Sequence, residues 1–196
     1  MLSVKARALR LLAQREHSRV ELERKLASRL RSGLGVRARD DARTEVEIAV
    51  EIEADVDAAV AEAEKLKAEV LSVLDELESH GLLSDQRTAD ALLLAKAPRY
   101  GSRRLKQMLQ AKSLNGDLVA STLSRARDSE LDRAREVWRR RFGAAPADLR
   151  ERARQQRFLA GRGFEAGVIE RVIKEALAAP AFAGPRSDAP SDADLD

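Results

Sequence analysis

Residues 6–26 read ARALRLLAQREHSRVELERKL, and residues 89–109 read ADALLLAKAPRYGSRRLKQML. At this offset of 83 residues Ala6 falls on Ala89, Ala8 on Ala91, Leu9 on Leu92, Leu11 on Leu94, Ser18 on Gly101, Leu22 on Leu105 and Leu26 on Leu109. A looser third copy lies 50 residues further on, with Met108 on Phe158, Leu109 on Leu159, Lys112 on Arg162, Leu118 on Val168, Val119 on Ile169 and Leu123 on Ile173. Repetition at a fixed register marks stacked helical modules, each too small to bury its apolar face alone. Function in such arrays is expected along the continuous surface that stacking creates.

Composition agrees with an all-α chain. Only six of 196 residues are aromatic, and Ala, Leu, Arg and Glu dominate. Straight-chain residues lose little rotamer freedom in a helix, whereas sheets favour β-branched and aromatic ones. The absence of cysteine rules out disulfides and thiolate metal sites and suits a reducing compartment. No 18-residue apolar stretch and no secretory pattern occur, so no membrane association and a cytoplasmic location are expected.

The spacing of apolar residues lays out three units. In the first (residues 1–81), a helix from about Val4 to Glu16 turns Ala8, Leu9, Leu12 and Ala13 inward. Ser18 and Glu21 then form a capping box for a helix carrying Leu22, Leu26 and Leu30. A third helix starts near Glu64, carries Leu66, Val70, Val73, Leu74 and Leu77, and stops at Gly81. Val70 and Leu74 match Val119 and Leu123 at an offset of 49, not 83, which measures a 34-residue insertion at about residues 32–64. That insertion alternates from Glu45 to Asp57, a strand-like period; with no partner strand, a mobile acidic loop running into the third helix is expected.

The second unit (82–127) has a helix from about Gln86 to Lys96 capped by Ser84 or Asp85, a second opening at Gly101 or Ser102, and a third containing Leu118, Val119, Thr122 and Leu123. The third unit (128–179) runs from Glu130 to Phe142, from Ala147 to Ala160, and through a last helix with Val168, Ile169, Val172, Ile173 and Leu177. Trp138 sits at core spacing, so packing outweighs base stacking as its role. The tail after Pro180 is expected to be disordered.

No phosphate-binding glycine loop, metal-ligand spacing or nucleophile–base pattern is present, and His17 and His80 lie far apart, so no enzymatic activity and no cofactor are expected. The charge is more telling. Net charge is +8 over residues 1–39, −11 over 40–79, +9 over 80–179 and −3 over the tail. Basic clusters stand at Arg103, Arg104 and Lys106, at Arg139, Arg140 and Arg141, and at Arg150, Arg152, Arg154 and Arg157. In the aligned repeats Arg29, Lys112 and Arg162 form one column, and Arg24, Gln107 and Arg157 another. Any single arginine on a helix is as readily a solvated surface residue, but equivalent positions in an array recur on equivalent faces and build a stripe suited to a polyanion.

The same residues resemble a known family, the RecX regulators of the RecA recombinase. The family's Ser-x-x-Glu-Leu-x-x-Lys-Leu is matched by Ser18, Glu21, Leu22, Lys25 and Leu26. Its Gly-Leu-x-Asp joint is met with one extra residue by Gly81, Leu82, Leu83 and Asp85, its Tyr-Gly-x-x-x-Leu helix start is matched by Tyr100, Gly101 and Leu105, and its Phe-Leu-x-x-Arg-Gly-Phe segment by Phe158, Leu159, Arg162, Gly163 and Phe164. Agreement spans about residues 4–34 and 66–178. Thr88, where an aromatic residue often stands, and the acidic insertion depart from the pattern.

The resemblance implies three tandem three-helix units in an elongated, curved array that lodges in the groove of a RecA filament on DNA. There it would inhibit ATP turnover, strand exchange and coprotease activity, modulating recombination and the SOS response. The implied partners are the RecA filament and single- or double-stranded DNA, and a monomer is expected; a general nucleic-acid-binding repeat protein acting without RecA is the alternative. The charge of the insertion itself leaves two readings open, a polyanion mimic that shields the basic surface or a tolerated surface loop. On the first, deleting residues 35–63 is expected to tighten DNA binding at low salt in a gel shift, and equal or weaker binding would dispose of the shielding role.

Overall fold

In the computed structural model the backbone is described for residues 3–31 and 45–178, and the side chains for residues 3–28 and 60–178. Among these residues the chain is all-α, with nine helices and no strand: α1 (Val4–Leu12), α2 (Arg19–Arg31), α3 (Glu45–Ser79), α4 (Asp85–Lys96), α5 (Ser102–Ala111), α6 (Gly116–Asp128), α7 (Glu130–Arg141), α8 (Leu149–Gly161) and α9 (Ala166–Ala178). Their bounds keep the register of the sequence repeat. Helices α2 and α5 begin 83 residues apart, α6 and α9 are displaced by 50 at both ends, and α3 and α6 end 49 apart.

The alternating acidic stretch is not a loop. It is helical from Glu45 and forms the first part of the 35-residue α3. Extending an existing helix adds one hydrogen bond per residue without a new nucleus, and Ala and Glu favour that extension; alternation without a second strand carries no such gain. The Gly/Arg stretch before it and the tail after Ala178 lie outside the described residues.

Contacts divide the chain into two compact units. The first comprises residues 1–92 with 108–120, the second residues 93–107 with 121–196. In the first, α1, α2 and α3 bury Val4, Ala8, Leu22, Leu26, Val70, Leu74 and Leu77 with Leu83. Helix α1 ends at Leu12, short of the expected Glu16, and faces inward through Val4 and Ala8, whereas Leu9 is 38% exposed and Ala13 is exposed. The positions four apart that begin at Val4 set the stripe. At the far end of α3, Gly81 at φ +67° closes a paired-bond stop: its N–H donates to the Glu78 carbonyl and that of Leu82 to the Leu77 carbonyl.

The second unit packs α7, α8 and α9 around Ala134, Leu159, Phe164, Ile169, Val172 and Ile173. Trp138 is part of this packing, and its indole N–H donates to Gln155 Oε1 at 2.7 Å, so its role is structural. Helix α8 opens at Leu149, two residues later than Ala147, because Asp148 is its cap, accepting from the Glu151 N–H at 2.7 Å.

The start of α5 is pressed backbone to backbone on the turn between α8 and α9. The Gly101 N–H donates to the Arg162 carbonyl at 3.0 Å and the Arg103 N–H to the Gly163 carbonyl at 3.1 Å. A Cβ at Gly101 would fall well under 3.0 Å from backbone atoms of Gly163 and Phe164, and one at Gly163, whose φ is +81°, would fall 2.5 Å from the Arg104 Cβ and N. Neither neighbour can swing away. Gly101→Ala is therefore expected to destabilise the chain by about 2–4 kcal/mol, while Gly161→Ala, with open space around it, raises stability by up to about 1 kcal/mol. Thermal unfolding of the two variants measures both; equal melting temperatures would refute the tight joint.

Candidate polyanion-binding surface

At two joints an acid from another helix holds a helix start. In the second unit α7 begins with Glu130, which is 2% exposed. One of its carboxylate oxygens accepts from the N–H groups of Ser102 (3.0 Å) and Glu165 (3.2 Å), while the other accepts from the Ser102 hydroxyl. A single carboxylate thus serves the N-terminal ends of α5 and α9, where unpaired N–H groups and the helix dipole favour negative charge. One turn on, the Arg133 guanidinium donates to the carbonyls of Ala97, Tyr100 and Ala126 near the ends of α4 and α6.

In the first unit Asp85 opens α4 and accepts from the Arg19 N–H at 2.8 Å, at the start of α2. Asp85 therefore serves α2, and Ser84 caps α4 by accepting from the Arg87 N–H. The Ser18 hydroxyl accepts from the Glu21 N–H at 3.2 Å, as a cap does, and donates to the Lys112 carbonyl at 2.5 Å. The Glu21 carboxylate does not complete the capping box. It accepts from Arg15 and from Lys112 Nζ, the latter at 2.7 Å.

This pairing perturbs two groups. Burial alone would push the Glu21 carboxyl up, but the hydrogen bonds from Arg15 and Lys112, reinforced by their charges, hold it at about 2. Burial, with Arg15 close by, pushes the His17 imidazole down, so the 1%-exposed ring is neutral at pH 7. Its Nδ1 lies 3.3 Å from Glu21 Oε1 without hydrogen-bonding geometry.

The fourteen basic positions singled out by sequence fall into distinct settings, Arg152 among the exposed ones. Lys112 is committed to Glu21. Arg139 and Arg140 pair with Glu136 on their own helix at 3.1 and 2.7 Å, exposed contacts worth little. Arg24 reaches Ser113 Oγ at 3.4 Å and Arg104 reaches Gln107 Oε1 at 3.3 Å. Arg103, Lys106, Arg141, Arg150 and Arg157 are exposed, and none has a carboxylate within ion-pair distance among the described residues. The side chain of Arg29 lies outside the described residues.

Arg154 and Arg162 are brought into one cluster that the sequence did not announce. The Arg154 guanidinium lies 5.6 Å from the Phe142 ring centroid, Phe142 and Phe158 meet edge to face at 5.3 Å, and the Arg162 guanidinium lies 4.8 Å from the Phe158 centroid. Arg154, Phe158 and Arg162 fall four residues apart along α8 and its cap, hence on one face. Arg104 borders the same place through its contact with Gly163. Among the described residues no group of three or more His, Asp or Glu could hold a metal ion, and no helix is long and apolar enough to cross a membrane.

Buried acidic capping thus joins the helices, and several arginines have no carboxylate partner among the described residues. Residues 128–173 match the third three-helix domain of RecX. The chain is 42% identical over 173 residues to the regulatory protein RecX of Leptothrix cholodnii, with 88% of each chain covered, and 39% identical over 175 residues to that of Ralstonia nicotianae, with 89% of each covered. Its fold matches the crystal structure of RecX from Lactobacillus salivarius with a TM-score of 0.62 at 16% identity, over 90% of this chain and 96% of that one. The chain belongs to the RecX family of regulatory proteins.

The Glu21 network makes acid stability a check on the first joint. With its folded pKa near 2 and an unfolded value near 4.3, Glu21 contributes stability that is fully present above about pH 5 and is lost as pH falls toward 2. The contribution is about 1–2 kcal/mol once solvent screening is allowed for. Glu21→Gln is expected to lower the melting temperature at pH 7 and to converge on the parent only as pH falls to about 2; a gap between the two that does not change with pH would refute the assignment.

Proposed function

We propose that this chain regulates a RecA-type recombinase by binding the RecA nucleoprotein filament and inhibiting its ATP turnover, strand exchange and coprotease activity, and thereby modulates recombination and the SOS response in the cytoplasm. Membership of the RecX family supports the reading, and the observation that carries it is the unpaired arginine-rich face of α5, α8 and their turns. Lys and Arg without carboxylate partners are free to meet the negative charge that a filament offers through its DNA and its subunit surfaces. In this reading the three repeats, residues 1–81, 82–127 and 128–179, are successive docking modules of a monomer, and the protein performs no chemistry of its own.

The test is RecA ATPase on single-stranded DNA with substoichiometric protein added. The rate is expected to fall with the parent protein and to stay near its uninhibited value with the triple charge reversal Arg104→Glu, Arg154→Glu, Arg157→Glu, whose helical content is checked by circular dichroism. An unchanged rate with the parent protein would sink the function. Full inhibition by a folded triple variant would remove these arginines from it.

A further inference from the structure

Phe142, Phe158, Arg154 and Arg162 form a ladder in which each guanidinium is laid over a ring of a T-shaped aromatic pair. A free arginine side chain samples many rotamers and loses that freedom when it binds. One resting on a ring is already held, and its second planar face and its N–H edge remain available. Neither Arg154 nor Arg162 has a carboxylate within ion-pair distance among the described residues, and Arg154 is exposed. The cost of desolvating a competing ion pair does not arise.

An acidic protein surface would need only the charge of these residues. The rings beneath add something that charge does not require: they hold each guanidinium in place, 5.6 and 4.8 Å from a ring centroid, where a further flat group can lie against it. Unstacked nucleobases are such groups, and arginine planes are among the surfaces on which single strands lay their bases. The two arginines are eight residues apart, about 12 Å along the helix, so two separate bases of one strand have their own platforms while the N–H edges reach its phosphates. A base pair inside a duplex keeps its faces covered and could use only the phosphate contacts.

We propose that Arg154 and Arg162, seated on Phe142 and Phe158, are a direct binding site for single-stranded nucleic acid, engaged through both base stacking and phosphate contacts and without RecA present. The site refines the proposed function by naming which component of the filament this face meets, and it rests on that reading only for its biological setting.

The experiment uses the full chain and no RecA. Anisotropy of a labelled oligothymidylate is compared with that of an abasic strand of equal length and with a duplex, for the parent and for Arg154→Lys, Arg162→Lys, which keeps both charges and removes both planes. The parent is expected to bind the base-bearing strand about 5- to 10-fold more tightly than the abasic one, in line with stacking on a base or two. The lysine variant is expected to lose that preference while binding the abasic strand within about 2-fold of the parent. Phe142→Leu, Phe158→Leu, which keeps apolar volume, should behave like the lysine variant. No binding by the parent, equal binding of base-bearing and abasic strands, or an undiminished preference in the lysine variant would overturn the site. Inhibition of RecA ATPase by the same parent preparation, measured alongside, separates the outcomes: inhibition with no strand preference rejects this site alone, whereas strand preference with no inhibition rejects the filament reading alone.

Discussion

The structure depends on helix starts being held by acids that come from another helix. An α-helix leaves its first N–H groups unpaired, and where that end is buried against another segment no water can satisfy them. Here the first residue of α7, Glu130, supplies acceptors to Ser102 and Glu165, and the first residue of α4, Asp85, supplies one to Arg19. Each acid sits in the first turn of its own helix, where the dipole stabilises its charge, and spends that charge on a neighbour. Removing either would leave both an unpaired helix end and a loosened register, so the order in which the helices follow one another is fixed by polar pairing as well as by apolar packing.

Much of this is local and could be read from the sequence. The offsets of 83 and 50 residues reappear in helix bounds, Gly81 is a left-handed helix stop, and Ser18 does cap α2. The errors share one physical origin. Glu21 looks like the second half of a capping box, but its carboxylate faces Lys112, 91 positions away. Sequence leaves Ser84 and Asp85 both open as the cap of α4; Ser84 takes that task, and Asp85 serves Arg19 of α2. In each case the local pattern offers two partners of similar strength, and tertiary proximity selects the one that sequence distance hides. The acidic stretch from Glu45 failed for a different reason, since alternation is a strand signal only when a second strand can complete it.

For the basic surface, sequence identified residue types and left their settings open. Phe142 and Phe158 stand sixteen positions apart in separate helical segments, and nothing in their spacing announces that they meet. The column that places Lys112 over Arg162 is correct as an alignment, since both residues close the helix before a left-handed turn residue, Ser113 at φ 55° and Gly163 at φ 81°. In charge pairing the two differ: Lys112 is paired with Glu21, and Arg162 lies over the Phe158 ring without a carboxylate partner among the described residues.

That difference follows from how closely each joint approaches. In the second unit two glycines let the backbone of α5 meet the turn at Arg162 directly, N–H to carbonyl. In the first unit the corresponding residues are serines. The Ser18 hydroxyl bridges the extra distance to the Lys112 carbonyl, and side-chain charges on Arg15, Glu21 and Lys112 complete the attachment. A joint held by side chains consumes its cation; a joint held by backbone does not. Arg162 is consequently left to lie over Phe158, while the lysine at the equivalent position is paired with a carboxylate. The glycine pair therefore has a consequence beyond fold stability, because it leaves the arginine that closes α8 without a carboxylate partner among the described residues.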